Sequence, residues 1–288
     1  MLRDKPEGGG RSASALAGGI PAVVVPLEAI EACATALRFS PRVLSLSVDA
    51  AVAERHASRA TLTLADVLPS ARARLKHLGL ARTGAVDDAA ANRLLDAMAA
   101  APLPLASIEL SGGSLPSGAV GELTALLGTE ASREGLRSLS LAGNKASGLS
   151  RELPAQLTTL RALEPLDLAH CGLDCSRVLG ALAASPRLID RLVTLILTGN
   201  KLDALSADLL AQIGSKAPHL RALGLASTGM NSAMVGTLLA AVLGGPARAG
   251  SAIGLDLSGN HIAEGVSPAL AQGLPLSNGA QDSRLTAL

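Results

Sequence analysis

Residues 192–202 read LVTLILTGNKL, and how these letters are parsed decides the fold. Leu195 and Leu197 alternate with Thr194, Ile196 and Thr198, the two-residue period of a short strand with one covered face and one open face. After Leu202 the period lengthens, and Leu205, Leu209, Leu210 and Ile213 fall on one stripe of a helix. The same frame returns along the chain. LRSLSLAGNKA from Leu136, LEPLDLAHCGL from Leu163, LRALGLASTGM from Leu220 and AIGLDLSGNHI from Ala252 all fit L-x-x-L-x-L-x-x-N-x-L. Weaker copies are VLSLSVDA from Val43, LKHLGLARTGA from Leu75 and LASIELSGGSL from Leu105. Successive starts lie 27 to 32 residues apart, at the upper end of leucine-rich-repeat periods.

Each unit is therefore strand, turn and helix. After Met230 the apolar positions Val235, Leu238, Leu239 and Val242 repeat the helical spacing, and Ser176, Asp203 and Ser232 are the expected helix-start residues. Neither element can cover its apolar face alone, but stacked units share one core, with closely spaced strands on one side and wider helices on the other. That mismatch bends the stack. The fold expected is α/β: a leucine-rich-repeat solenoid, or horseshoe, of about eight repeats, with parallel strands on the concave face and helices on the convex face. It spans residues 20–288, after a disordered segment 1–19 rich in charge, Gly and Ser. Leu285-Thr-Ala-Leu288 opens a ninth unit, so the expectation is a truncated piece of a longer repeat protein, prone to self-association through an exposed apolar C-terminal edge.

The ninth position of the frame forms a structural ladder. It is Asn144, Asn200 and Asn260 in three units, with Cys171 and Thr228 in the units between. An asparagine inside the bend can satisfy backbone groups that the turn leaves unpaired, whereas Cys and Thr offer fewer or weaker bonds. The Gly-Asn-Lys runs at 143–145 and 199–201 lack the spacing of a phosphate loop and recur at the repeat period, so they read as turns.

The pairing of a strand with a full helix, and the alternation of Asn with Cys or Thr, resemble the ribonuclease-inhibitor type of leucine-rich repeat. Within that type, the run LEPLDLAHCGLDCSRVLGALAASPRLIDRLVTLILTGNKLDALSADLL, with LRALGLASTGM and GLDLSGNHIAEG, is similar to the repeat domain of the CARMIL family, regulators of actin capping protein. The resemblance covers about residues 40 to 288. It implies a scaffold in actin filament assembly. The capping-protein-binding motif and the membrane-binding domain of that family correspond to no residues here.

Composition narrows the chemistry. With 25 basic and 24 acidic residues well mixed, the chain lacks the footprint of a nucleic-acid or anionic-membrane binder, so neither partner nor direct membrane insertion is expected. Phe39 is the one aromatic residue, which removes base-stacking platforms and aromatic cages. Cys33, Cys171 and Cys175 do not make a disulfide framework, and with no apolar leader and no N-x-S/T site a cytoplasmic setting, cytoskeletal by the resemblance, is the expectation. His170-Cys171-x-x-x-Cys175 lacks the ligand number and spacing of a metal site. His56, His77, His219 and His261 have no Ser or Cys partner at a constrained spacing, so no triad, cofactor or enzymatic activity is expected.

What remains is the outward face of the strands. Its positions include Ser45, Ser47 and Asp49, then His77, Gly79 and Ala81, then Ser107, Glu109 and Ser111, followed in later units by Asp167, by Thr194 and Ile196, and by Asp256. Small side chains, four carboxylates and no Lys or Arg make the face mildly acidic, suited to a protein partner carrying a basic segment. The leading expectation is a non-catalytic protein-interaction scaffold. The alternative is an inhibitor or sensor module of ribonuclease-inhibitor or innate-receptor type, whose concave face should be rich in aromatics and charge. GTPase-activating activity finds no catalytic Arg or Asn constellation. With no Trp or Tyr, the chain should absorb almost nothing at 280 nm, and a core of Ala and Leu should give less stability than the length implies. A denaturation midpoint above about 5 M guanidinium would contradict that expectation.

Overall fold

The computed structural model describes residues 37–39, 43–49, 57–70, 75–81, 86–100, 104–113, 115–244, 253–262 and 285–286. The N-terminal segment 1–19, Cys33, His56 and the side chains of the ninth unit lie outside the described residues. The strands are β1 (Ser45–Asp49), β2 (His77–Ala81), β3 (Ser107–Ser111), β4 (Ser138–Ser140), β5 (Pro165–Asp167), β6 (Thr194–Ile196), β7 (Ala222–Gly224), β8 (Ile253–Asp256) and β9 (Leu285–Thr286). They form one parallel sheet in chain order, and the molecule is a leucine-rich-repeat solenoid.

The return segments are helical: α1 (Ala57–Val67), α2 (Asp88–Ala100), α3 (Val120–Leu127), α4 (Glu130–Gly135), α5 (Leu149–Leu157), α6 (Cys175–Ala183), α7 (Pro186–Ile189), α8 (Ala204–Lys216) and α9 (Ser232–Gly244). Two units split this segment into a pair, α3 with α4 and α6 with α7. Strands sit about 4.8 Å apart and packed helices about 8–10 Å apart, so the sheet lines the inner curve. Leu139, Leu166, Leu195 and Leu223 point into the core from the strands, and Leu141, Leu168, Leu197 and Leu225 follow at the next inward position, all with 2% exposure or less. Each such leucine contributes about 1.5–3 kcal/mol by leaving water. Phe39 is 73% exposed, so the core described is aliphatic throughout.

Local details depart from the expected pattern in three places. Asp203 caps α8 by accepting from Ser206 N at 2.8 Å, but at the other two helix starts the capping residue lies one or two positions before the expected serine. Asn231, not Ser232, accepts from Met234 N at 3.0 Å. Asp174, not Ser176, occupies the cap of α6, and the Ser176 hydroxyl donates to it at 2.7 Å. Leu205 is 57% exposed. The buried side of α8 is made instead by Ser206, Ala207, Leu210, Ala211, Ile213 and Gly214. A Cβ on Gly214 would stand 2.6 Å from Val242 Cγ2, so α8 and α9 approach more closely than a leucine stripe permits.

The asparagines of the ladder join the units, Asn144 and Asn200 buried and Asn260 half-buried. Asn200 Oδ1 accepts from Cys171 N and Leu173 N, both at 3.1 Å. Its Nδ2 donates to Leu168 O at 2.7 Å and to Leu197 O at 2.9 Å. Asn260 likewise accepts from Thr228 N and Met230 N and donates to Leu225 O and Leu257 O. Asn144 accepts from Leu115 N and donates to Leu110 O and Leu141 O. Cys171 Sγ makes only sulfur contacts, to Leu141 O at 3.1 Å and Ala169 O at 3.4 Å, and Thr228 Oγ1 donates to Leu225 O at 2.8 Å.

The eighth position has its own alternation. Gly143, Gly199 and Gly259 precede the asparagines with φ of 78°, 71° and 67°. In the intervening units His170 and Ser227 hold φ of 55° and 54°. A Cβ on Gly199 would lie 2.0 Å from His170 Nδ1, and one on Gly259 would lie 2.6 Å from Ser227 Oγ. A side chain at this place in one unit thus occupies the room that the next unit leaves by using glycine.

Replacing Asn200 with Ala strands Cys171 N, Leu173 N and Leu168 O, while Leu197 O still accepts from Asn200 N, and the expected loss is about 3 kcal/mol or more of unfolding free energy, given about 1–3 kcal/mol for each group that water does not reach. Lys201→Ala, one residue on and exposed, should change it by less than about 0.5 kcal/mol. Urea unfolding followed by far-ultraviolet circular dichroism measures both, and equal losses would contradict the bridging role of Asn200.

Candidate functional site

Register turns single positions into rows. Ser47, Gly79, Glu109, Ser140, Asp167, Ile196, Gly224 and Asp256 are successive partners across the eight strands β1 to β8. Three of these eight are carboxylates and none is Lys or Arg. A neighbouring row contains Ser45, His77, Ser107 and Ser138, and further along Pro165, Thr194, Ala222 and Gly254. Asp49 aligns with Ala81 and Ser111, one row further along the strands, and its side chain lies outside the described residues.

The first three strands converge on one place. A Cβ built on Gly79 would stand 3.0 Å from Ser47 Oγ, 3.2 Å from His77 Nε2 and 3.5 Å from Glu109 Oε2. The space left by the absent side chain is therefore walled by a hydroxyl, an imidazole nitrogen and a carboxylate oxygen. The opposite imidazole nitrogen, His77 Nδ1, lies 2.8 Å from Ser107 Oγ. Burial pushes the His77 pKa below 6.5, with the Glu109 charge pulling the other way, so the ring is neutral at neutral pH. With the proton on Nδ1 and donated to Ser107, Nε2 presents a lone pair to the space above Gly79.

Farther along the row the carboxylates are held by the turns that follow the strands. Asp167 Oδ1 accepts from Ala169 N at 3.0 Å and Oδ2 from Ser140 Oγ at 3.4 Å. Asp256 Oδ1 accepts from Ser258 N at 3.0 Å and from Ser258 Oγ at 2.8 Å. Asp167 is half-buried and Asp256 exposed. Burial raises the Asp167 pKa, opposed by its two hydrogen bonds and by His170. A desolvated carboxylate of this kind gains most when a cation arrives. Thr194 and Ile196 are half-buried between the two aspartates, and Ile196 Cγ2 would lie 3.0 Å from a Cβ on Gly224. Gly79, Ala169 and Ala226 are buried rather than outward and open.

The site has the parts for holding a cation and lacks those for acyl transfer. His77, for which the spacing offered no Ser partner, does meet Ser107, one repeat on. Glu109 nevertheless makes no hydrogen bond to His77 among the described residues, and the strand N–H groups around it are consumed in the parallel ladder, so none remains to stabilise an oxyanion. Cys171 and Cys175 are free and buried, with pKa values pushed up by burial to about 11 and about 12, which keeps them as thiols. Among the described residues no group of three or more His, Cys, Asp or Glu could hold a metal ion, and no helix is long and apolar enough to cross a membrane.

The face composed of Ser47, Gly79 and Glu109 is one column of the repeat frame, and that alignment is the signal by which their convergence could have been found. No family model matches this chain, and no curated protein does. Among solved structures it is similar to a structural-genomics protein from Bacteroides fragilis, at 14% identity and a TM-score of 0.46, over 83% of this chain and 74% of that one. It is also similar to the TLR13 chain of a TLR13–ssRNA13 complex, at 14% identity and a TM-score of 0.38, over 81% of this chain and 35% of that one.

Because burial favours the neutral acid, folded Asp167 holds its proton at a pH where the unfolded chain has released it, so its contribution improves as pH falls through the raised folded value toward 3.8. Between about pH 7 and about pH 4 the unfolding free energy of the native chain should therefore rise relative to that of Asp167→Asn. Parallel denaturant titrations of the two proteins measure the gap, and a gap that is unchanged or moves the other way contradicts the assignment.

Proposed function

We propose that this chain is a non-catalytic protein-interaction module that holds a basic segment of a partner along its concave face. The observation that supports it is the single row carrying Glu109, Asp167 and Asp256 with no cation among its members, joined at Glu109 by Ser47 and His77. Glu109 and Asp167 are two strands apart, about 10 Å, and Asp167 and Asp256 three strands apart, about 14 Å. An extended segment advances about 3.3 Å per residue with alternate side chains on one face, so cations at its residues i, i+4 and i+8 share the face turned to the row and stand about 13 Å and about 26 Å along it, within reach of the three carboxylates through flexible side chains. Gly79, Ser140 and Gly224 between them let a backbone come close.

The resemblance to the repeats of capping-protein regulators makes actin filament assembly, in the cytoplasm, the setting of this reading. Repeat lengths of 27 to 32 residues and the alternation of Asn with Cys and Thr support it. An inhibitor or sensor would draw its hot spots from aromatic residues, which these rows do not contain.

A fluorescein-labelled peptide with Arg at positions 1, 5 and 9 and Ser or Gly elsewhere should bind the full chain, and Glu109→Gln and Asp256→Lys should each weaken it by about tenfold or more. Gly79→Val, which fills the space between Ser47, His77 and Glu109, should do the same without removing a charge. Affinity should fall below pH 6.5 as His77 gains a proton that repels the incoming cation, and His77→Gln should flatten that arm. Unchanged affinity in the two carboxylate variants, measured by fluorescence anisotropy, sinks the proposal.

A further inference from the structure

The residue just ahead of each strand in the later units forms a second row, at the rim of the sheet rather than on its concave face. Glu164 N donates to Arg137 O at 2.8 Å, Val193 N to Glu164 O at 2.8 Å and Arg221 N to Val193 O at 2.7 Å, so Arg137, Glu164, Val193 and Arg221 stand side by side. Helix α7 brings Arg187 down beside them, and the chain leaving it adds Asp190 and Arg191. Glu164, Val193, Arg221, Arg187, Asp190 and Arg191, with Arg161 and His219, wall an open groove of about 760 Å³.

Charge in this groove is not balanced. Arg161 is engaged by Glu134, and Glu164 by Arg137 at 2.9 Å. Among the described residues Arg187, Arg191 and Arg221 form no ion pair, against a single carboxylate, Asp190, left to offset them. All three are exposed. Guanidinium groups present paired donors that match a carboxylate or phosphate edge, and three of them without partners keep an anion-binding surface ready.

We infer that this rim groove binds an acidic peptide segment, laid across three successive repeats with its carboxylates on Arg187, Arg191 and Arg221. The groove is elongated across three strands, about 10 Å at sheet spacing, which suits an extended chain better than one compact phosphate. The rim N–H groups are used by the ladder, so they cannot gather around a phosphate. A single-stranded nucleic acid gains its affinity from stacking on aromatic rings, and the groove has none. Asp190 also opposes a backbone charged at every step, whereas a peptide can set an uncharged residue opposite it.

The test is fluorescence anisotropy with a fluorescein-labelled (Glu-Ser)4 peptide and the full chain. Saturable binding that weakens with added salt is expected. The triple substitution Arg187→Gln, Arg191→Gln, Arg221→Gln should reduce affinity by about tenfold or more, while Arg151→Gln on α5 leaves it unchanged. Circular dichroism identical to that of the native chain shows that the triple variant is folded. An unaltered affinity in the folded triple variant, or no binding by the native chain, overturns the inference. So does displacement of the peptide by oligouridylate at a lower concentration than by unlabelled (Glu-Ser)4. The arginine-bearing peptide addresses the concave carboxylates through other residues, so the two proposals fail separately.

Discussion

One side-chain amide, repeated, holds the structure in register. From β4 to β7 the strands are three residues long, and such short strands leave each turn with backbone donors and acceptors that no strand can pair, groups buried by the units on either side. Asn200 accepts two of them from the preceding turn and donates to two carbonyls, one in each unit. The bonds cross the seam between units. Each asparagine therefore fixes the distance and angle of the next repeat, and with them the alignment that makes rows of the outward side chains. Leucines drive the stack together without choosing its step, because burial of aliphatic surface is indifferent to direction.

Given that register, a chain with almost no net charge can still present two surfaces of opposite character. The third, fifth and eighth strands each add a carboxylate to the concave row, and the position ahead of the strand adds arginines to the rim. The sign of a surface here depends on where in the unit a residue falls, not on overall composition. The small residues of the concave rows do the complementary task of letting another backbone approach, as Gly79 does between Ser47, His77 and Glu109.

The inward leucines and the strand positions were legible because each is stated eight times over. The helices were less so, and the reasons are local. Hydrophobicity alone assigned Leu205 to the buried stripe, but the phase of α8 is set by its Asp203 cap and by the close approach of α9 at Gly214, so small residues face inward and Leu205 faces water. Where two capping residues stand close together, as Asp174 with Ser176 and Asn231 with Ser232, either satisfies a sequence rule and only backbone geometry separates them. The meeting of His77 with Ser107 was hidden by their separation of 30 residues, which is one repeat and hence one strand spacing. The rim arginines come from segments of different secondary structure, α7 and the strand entries, so no single period gathers them.

The glycine alternation at the turn bears on how such a chain can grow. His170 leans over Gly199 and Ser227 over Gly259, so one unit with a side chain at that place and one without together form the compatible cassette. The asparagines at 144, 200 and 260 mark cassettes of 56 and 60 residues. Glycines also follow one another at Gly112 and Gly143, so two vacancies can stand side by side, but copying a unit of the His170 or Ser227 kind alone would set two side chains against each other at the seam, whereas copying a cassette restores every neighbour. An engineer extending the array with a side-chain-bearing unit would therefore splice at the double interval.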